Sequence, residues 1–254
     1  MTAAMSFEWT KLRTLRSTWW CVGVAAFLQL GYALLVGLDA RLDLEESGGP
    51  DVLVVSDAGL LSIQFAQYAL IAAALLAVTG EYSTGTIGMT LRAVPVRGRM
   101  LAAKALVVAG AVAVVGAVLQ LAGSVVAGLV AGSAARWEIG DLAVDTVLAA
   151  GYSATLAAFA LGLGTALRSA VGGLTAVLVI AVVLPTVLGR IGIDVVQSLN
   201  DYLPGSAGVA AVYGAVSDAV EDQPYPPGVA LLVLAGWAAA TVGTGYLVLR
   251  RRDA

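Results

Sequence analysis

Residues 80–104 read GEYSTGTIGMTLRAVPVRGRMLAAK, from Gly80 to Lys104. This is the only long polar interruption with more basic than acidic charge: Arg92, Arg97, Arg99 and Lys104 face one acid, Glu81. Long apolar runs flank it on both sides. Hydroxyls at Ser83 and Thr84 suit the cap of a short helix, since such oxygens accept from the free N–H groups of a first turn. The spacing predicts that helix over 86–93. Pro95 would end it, because proline lacks the donor and disfavours helix in the residue before it. A short capped helix between two membrane segments, on the positive side, is suited to contact something outside the membrane. An ordinary connector of a six-span protein has the same local pattern.

The flanking runs set the class of the whole chain. Of its 254 residues 59% are hydrophobic and only 12% charged, with a mean hydropathy of +0.91, a composition of membrane proteins. A helix needs roughly 20 apolar residues to cross the hydrocarbon core. Charge-free intervals of that length occupy 17–38, 58–80, 105–135, 146–167, 169–189 and 223–249. The third is too short to cross twice. An all-α membrane protein follows, one transmembrane domain over 1–254, with spans at about 19–38, 60–79, 105–130, 146–167, 169–188 and 228–249.

Basic residues orient such a bundle, because loops on the cytoplasmic side retain Lys and Arg. With the N-terminus inside, eleven of the 14 Lys and Arg are cytoplasmic, and only Arg41, Arg136 and Arg190 are not. Of the 17 acids only Glu8, Glu81 and Asp253 fall inside. The net charge of −3 therefore hides two opposite faces, and both termini are expected in the cytoplasm. Before the first span, Trp9, Leu12, Arg16 and Trp19 fall on one helical face, with Glu8 and Lys11 neighbours at i, i+3. An amphipathic helix lying in the interface is expected there, its Trp rings at headgroup level. The apolar run after Arg16 is too long for a signal peptide and lacks a cleavage site after it.

Two motifs carry a resemblance. Glu81-Tyr82, Gly85-Thr86-Ile87, Thr90-Leu91, Pro95 and Ala103-Lys104 resemble the E-Y-x-x-G-T-I-x-x-T-L-x-x-x-P stretch of exporter-type ABC permeases. Glu8-Trp9-x-Lys11-Leu12-Arg13-x-x-Arg16-Ser17 is similar to the N-terminus of the same type-2 family, its actinobacterial members above all. The resemblance implies that 80–104 holds a coupling helix between the second and third spans, docked on a separate ATPase subunit through Glu81, Tyr82, Gly85, Thr86, Ile87, Thr90 and Arg92. Gly88 stands where these proteins often carry a basic residue. It also implies that the interfacial helix (Glu8, Trp9, Lys11, Arg13) touches the ATPase, and that re-entrant helices precede the last span. It further implies a pair of permease subunits with two ATPases that bind ATP and Mg.

Elsewhere the reading is plainer. Residues 39–57 form an acidic connector containing Ser47-Gly48-Gly49-Pro50. An amide is costly in hydrocarbon unless it is paired, so Gln29, Gln64, Gln67 and Gln120 must face protein or a wet pathway. Gln64 and Gln67 share a face with Tyr68 and Ile71. Helix–helix pairing and the lining of a substrate route, by Gln29, Gln64 and Gln67, both fit. Gly128 and Gly132 form a G-x-x-x-G. Arg168 marks a tight cytoplasmic turn, and Pro185 kinks or ends the fifth span. Residues 190–227 suit short amphipathic helices at the outer interface.

Several chemistries are absent. Histidine is missing and Cys21 is the only cysteine, so no intrachain disulfide, His/Cys zinc site or Ser–His pair can form. The G-x-x-x-x-G-T at Gly80 to Thr86 lacks the lysine of a nucleotide loop. No acid lies within the predicted spans, which argues against an ion-driven carrier. No enzyme activity, bound cofactor, metal or nucleic-acid partner is expected of this chain. A permease subunit of an ABC exporter, powered by a partner ATPase and set in lipid of the cytoplasmic membrane, fits best. A non-transporting scaffold or immunity protein, and an ATP-independent channel or carrier, are the alternatives. The residues do not select a substrate.

Overall fold

In hydrocarbon each backbone N–H and C=O must be satisfied within the protein, so apolar runs of this length become helices. The computed structural model describes residues 2–47, 53–88, 96–216 and 223–251. Among them, six helices are long and apolar enough to cross a membrane, the all-α membrane fold expected. A first helix, α1 (Thr2–Thr14), precedes the crossing helix α2 (Arg16–Ser47). β1 (Leu53–Val54) leads into α3 (Val55–Ser83). Beyond the basic connector comes α4 (Arg97–Ala131), then β2 (Ala135–Arg136) and α5 (Ile139–Leu167). The fifth crossing is composite: α6 (Ala170–Leu178), a π-helical turn Val179–Val183, and α7 (Leu184–Leu188). Short helices α8 (Asp194–Asp201) and α9 (Pro204–Tyr213) follow, and α10 (Pro227–Arg251) crosses last. β1 and β2 pair in parallel, Leu53 opposite Ala135, and tie two connectors of the acidic end together.

α3 and α5 form the centre. Buried positions make up 56% of the apolar window of each, against 11% for the fifth crossing, which therefore turns side chains such as Val171 and Val183 outward. Leu60, Ile63, Phe159, Leu161 and Leu234 lie in one core cluster. At Gly162 the backbones of α5 and α10 touch: a Cβ there would come within 2.5 Å of the Thr241 carbonyl carbon and the Val242 nitrogen.

The helices outrun the expected spans. Residues 39–47 continue α2 instead of starting a connector, and Arg41 pairs with Glu45 at 3.2 Å along its exposed face. Residues 48–50 of the expected turn lie outside the described residues. α4 begins at Arg97 and α5 at Ile139, well before their charge-free intervals, because a helix need not end where the apolar run does. Asp145 consequently lies buried inside α5, near its acidic end. The N-terminal helix breaks at Leu15, so Trp9 and Leu12 belong to α1 whereas Arg16 and Trp19 belong to α2.

Three local features have clear causes. Arg168 adopts the left-handed conformation (φ 54°) that closes α5, and the Ser169 hydroxyl accepts from the Gly172 N–H at 3.1 Å to start α6. This is the tight turn expected. Pro185 has no N–H to give the Ala181 carbonyl, and the turn before it widens to π geometry. Gly205 of α9 lies against that same carbonyl, so closely that a Cβ would stand 1.9 Å from the oxygen. Gly132, read from sequence as part of a packing motif, instead ends α4 at φ 61°.

Candidate functional site

The basic end of the bundle is closed by four charged side chains. Lys104, eight residues into α4, is 1% exposed, and Glu81 of α3 and Glu8 of α1 are almost as deeply buried. The Lys104 ammonium donates to Glu8 Oε2 at 2.5 Å and to Glu81 Oε1, while Lys11 of α1 reaches the same Glu81 oxygen at 2.5 Å. Two carboxylates and two ammonium groups balance, which is how charges tolerate such burial. The cluster fastens α1, α3 and α4 to one another.

Neighbouring contacts extend this junction. Arg97 Nη1 donates to the Leu249 carbonyl at 2.6 Å, supplying a partner for an end carbonyl of α10. The Arg168 guanidinium stands 5.2 Å from the centre of the Tyr82 ring, joining the α5–α6 turn to the end of α3. Ile87 is buried with Met100 and Leu249, and Tyr82 packs against them.

These positions revise the sequence reading of 80–104. The Ser83 and Thr84 hydroxyls donate back to the Gly80 carbonyl at 3.0 and 2.7 Å. They finish α3 instead of capping the next helix, because the last carbonyls of a helix lack partners of their own. Gly85 turns the chain at φ 69° and Thr86 bonds Thr84 at 2.9 Å. A helical turn starts at 87–88. Thr90, Arg92 and Pro95 lie outside the described residues, as does the rest of the expected helix. Glu81 pairs with Lys104 and Lys11, and Ile87 faces its own chain instead of an open contact surface. In α1, Trp9 and Arg13 are exposed, whereas Glu8 and Lys11 belong to the cluster.

A second polar feature occupies the other half of the bundle. A cavity of about 420 Å³ lies between α3, α5 and the fifth crossing, with α8, α9 and Gln223-Pro224 around its acidic end. Gln64 and Gln67 line it beside Ile71, Leu156 and Asn200. Gln67 Nε2 donates to Gln64 Oε1 at 2.6 Å, and the Tyr152 hydroxyl donates to Gln67 Oε1. Gln64 Nε2 has no partner among the described residues. Tyr225 and Trp237 hold the rim, donating to the carbonyls of Asp201 and Tyr202 respectively.

Gln29 is elsewhere. It is fully buried, and its Nε2 donates to the Gly59 carbonyl at 2.9 Å; Gln120 does the same to Ser56 at 2.9 Å. These two amides fasten α2 and α4 to α3, so Gln29 lies in helix packing, while Gln64 and Gln67 border the cavity. Sequence alone assigns no role to Lys104 or Tyr152, and for Arg168 it gives the turn but not the contact with Tyr82. The signal available for Lys104 was an ammonium at the edge of a long apolar run, and for Tyr152 a lone phenol within a span.

Among curated proteins, none matches this sequence. A family model described as an ABC-2 family transporter protein does match, over residues 4–188, which take in α1 through α7 and hence both the charged junction and most of the cavity wall. The chain therefore belongs to the ABC-2 transporter family, as the membrane-spanning permease component of an ABC transporter, a class that works with an ABC ATPase subunit.

Proposed function

We propose that this permease exports its substrate across the cytoplasmic membrane, driven by ATP that a separate ATPase subunit binds with Mg and hydrolyses. Two permease subunits pair, and both termini face the cytoplasm. The chain itself binds no cofactor. The connector 80–104 receives the motion of the ATPase, with Thr86, Thr90 and Arg92 offered to the partner and Glu81, Tyr82 and Ile87 anchoring the connector from within. Trp9 and Arg13 of α1 add to that contact from the interface.

The observation that carries this reading is the Glu8–Lys104–Glu81–Lys11 cluster at the root of the connector. A push on the connector reaches α1, α3 and α4 together, because their charged ends are fastened to one another and would be costly to part. The same α3 carries Gln64 and Gln67 into the cavity, so displacement at its basic end moves the cavity wall.

The test uses the permease reconstituted with its ATPase. Thr90→Asp with Arg92→Glu alters the connector and leaves Glu8, Lys11, Glu81 and Lys104 unchanged. Transport and the amount of ATPase retained on the membrane subunit are expected to fall together, with the thermal midpoint of the permease unchanged. Unaltered transport with full ATPase retention would reduce the connector to a passive loop.

A further inference from the structure

We propose that the basic end holds a built-in site for one anionic phospholipid of the adjoining leaflet, in a groove separate from the cavity. The groove, about 630 Å³, lies between α1, the start of α2 and α4, where α1 and α2 diverge after Leu15. Its walls are almost wholly apolar: Met5 and Leu12 on α1, Val22 on α2, Ala73 on α3, and a run from Leu106 to Val115 on α4.

Length and placement select the occupant. At 1.5 Å per residue the α4 wall is about 14 Å long, roughly one leaflet of a hydrocarbon core about 30 Å thick. Leu106 and Val114 are more than half exposed, so the wall opens sideways to bilayer and not to water. An acyl chain fits this space, and a peptide would leave its backbone polar groups unpaired there.

Charge selects the headgroup. Arg13 lines the mouth and Arg16 follows in the next turn of chain; neither forms an ion pair among the described residues. The Trp19 indole N–H donates to the Arg13 carbonyl at 3.0 Å, bridging the break between α1 and α2. Trp9 also lines the groove, so two indoles stand at headgroup level beside the unmatched Arg13, with Arg16 three residues further along the chain. The junction cluster, by contrast, is neutral as a set and offers no competing anion at the mouth. The lipid tail wedges α1 against α4, beside the ion pair that fastens the same two helices.

Gly110 allows a selective test. It lines the groove, and a Cβ there would meet nothing within 4 Å. Gly110→Leu therefore starts from an unobstructed Cβ and puts a branched side chain into the groove. Native mass spectrometry of the purified full chain, given phosphatidylglycerol or phosphatidylcholine with the same acyl chains, reads the site. Expected is one tightly retained phosphatidylglycerol, favoured about tenfold, since two basic groups near a phosphate each add several-fold affinity. Gly110→Leu is expected to lose that lipid. Arg13→Gln with Arg16→Gln is expected to keep binding but lose the preference. Brominated phosphatidylglycerol is expected to quench Trp fluorescence in a Trp20→Phe, Trp137→Phe, Trp237→Phe variant, and less so once Gly110→Leu is added. Equal retention of the two lipids by the unaltered chain, or undiminished retention in Gly110→Leu, would overturn the proposal. Neither readout involves the ATPase, so failure here leaves the coupling reading standing.

Discussion

Lys104 is a cation in a place where a cation is tolerated only by virtue of its partners. With 1% of its surface exposed, it depends on Glu8 and Glu81 for compensation, and they depend on it. Lys104→Met keeps the stem volume but leaves two carboxylates facing Lys11 alone. Breaking a buried pair in this way costs about 3–5 kcal/mol, so the thermal midpoint of the purified permease is expected to drop sharply. Adding Glu8→Gln removes the surplus charge and leaves the Lys11–Glu81 pair balanced. Most of the lost midpoint is then expected to return, and a double variant no more stable than Lys104→Met would show that the acids do not act as a charge-balanced set. Gln67 presents a different case, since its amide links Gln64 to Tyr152 at the cavity wall. Gln67→Leu leaves the Tyr152 hydroxyl without its acceptor, at about 1–3 kcal/mol. If the cavity is the route, transport or its range of substrates changes while ATPase retention does not. Unchanged transport in a less stable protein would leave Gln67 a packing residue.

Among the elements, the fifth crossing is built around a fault that its neighbours repair. Pro185 leaves the Ala181 carbonyl without its helical donor, and the backbone of Gly205 covers that carbonyl. Gly205→Val therefore forces α9 away from the π-helical turn and opens the cavity near Gln64. Loss of transport with α10 still inserted is the expected result, measured by transport assay beside protease protection of the C-terminus. Such pairings explain what the sequence does and does not disclose. Six helices were legible, because charge-free length is a one-dimensional property. Their ends were not, since charged residues such as Arg97, Lys104 and Asp145 extend a helix as readily as they end a span. Glu81 is the one acid of its connector, which holds four basic side chains, and spacing alone does not choose among them; its partners, Lys104 and Lys11, lie 23 and 70 positions away. Ser83 and Thr84 have hydroxyls that serve either helix, and only the fold decides that Gly80 receives both. Gln64 and Gln67 were separable as a pair by their i, i+3 spacing. Nothing in Gln29 itself says whether its amide meets a carbonyl or a cavity.

For the whole molecule, the two ends differ in what they offer. One end carries the four-charge cluster, the Arg97 cap on α10 and the lipid groove; the other carries α8, α9, the β1–β2 pair and the cavity rim. The eleven-to-three division of Lys and Arg is the ground for proposing that the first end faces the cytoplasm. That assignment can be tested without knowing the substrate. Cys21 is the only thiol, so Cys21→Ser gives a blank background for single cysteines at exposed positions. Val195 on α8 is 69% exposed, and Arg99, at the start of α4, is also exposed. An impermeant thiol reagent on intact cells is expected to label Val195→Cys and to leave Arg99→Cys unreacted until the membrane is opened. The reverse pattern would turn the bundle over. The connector would then face away from any cytoplasmic ATPase, and the ion cluster would have to be explained as a stabilising device with no part in coupling.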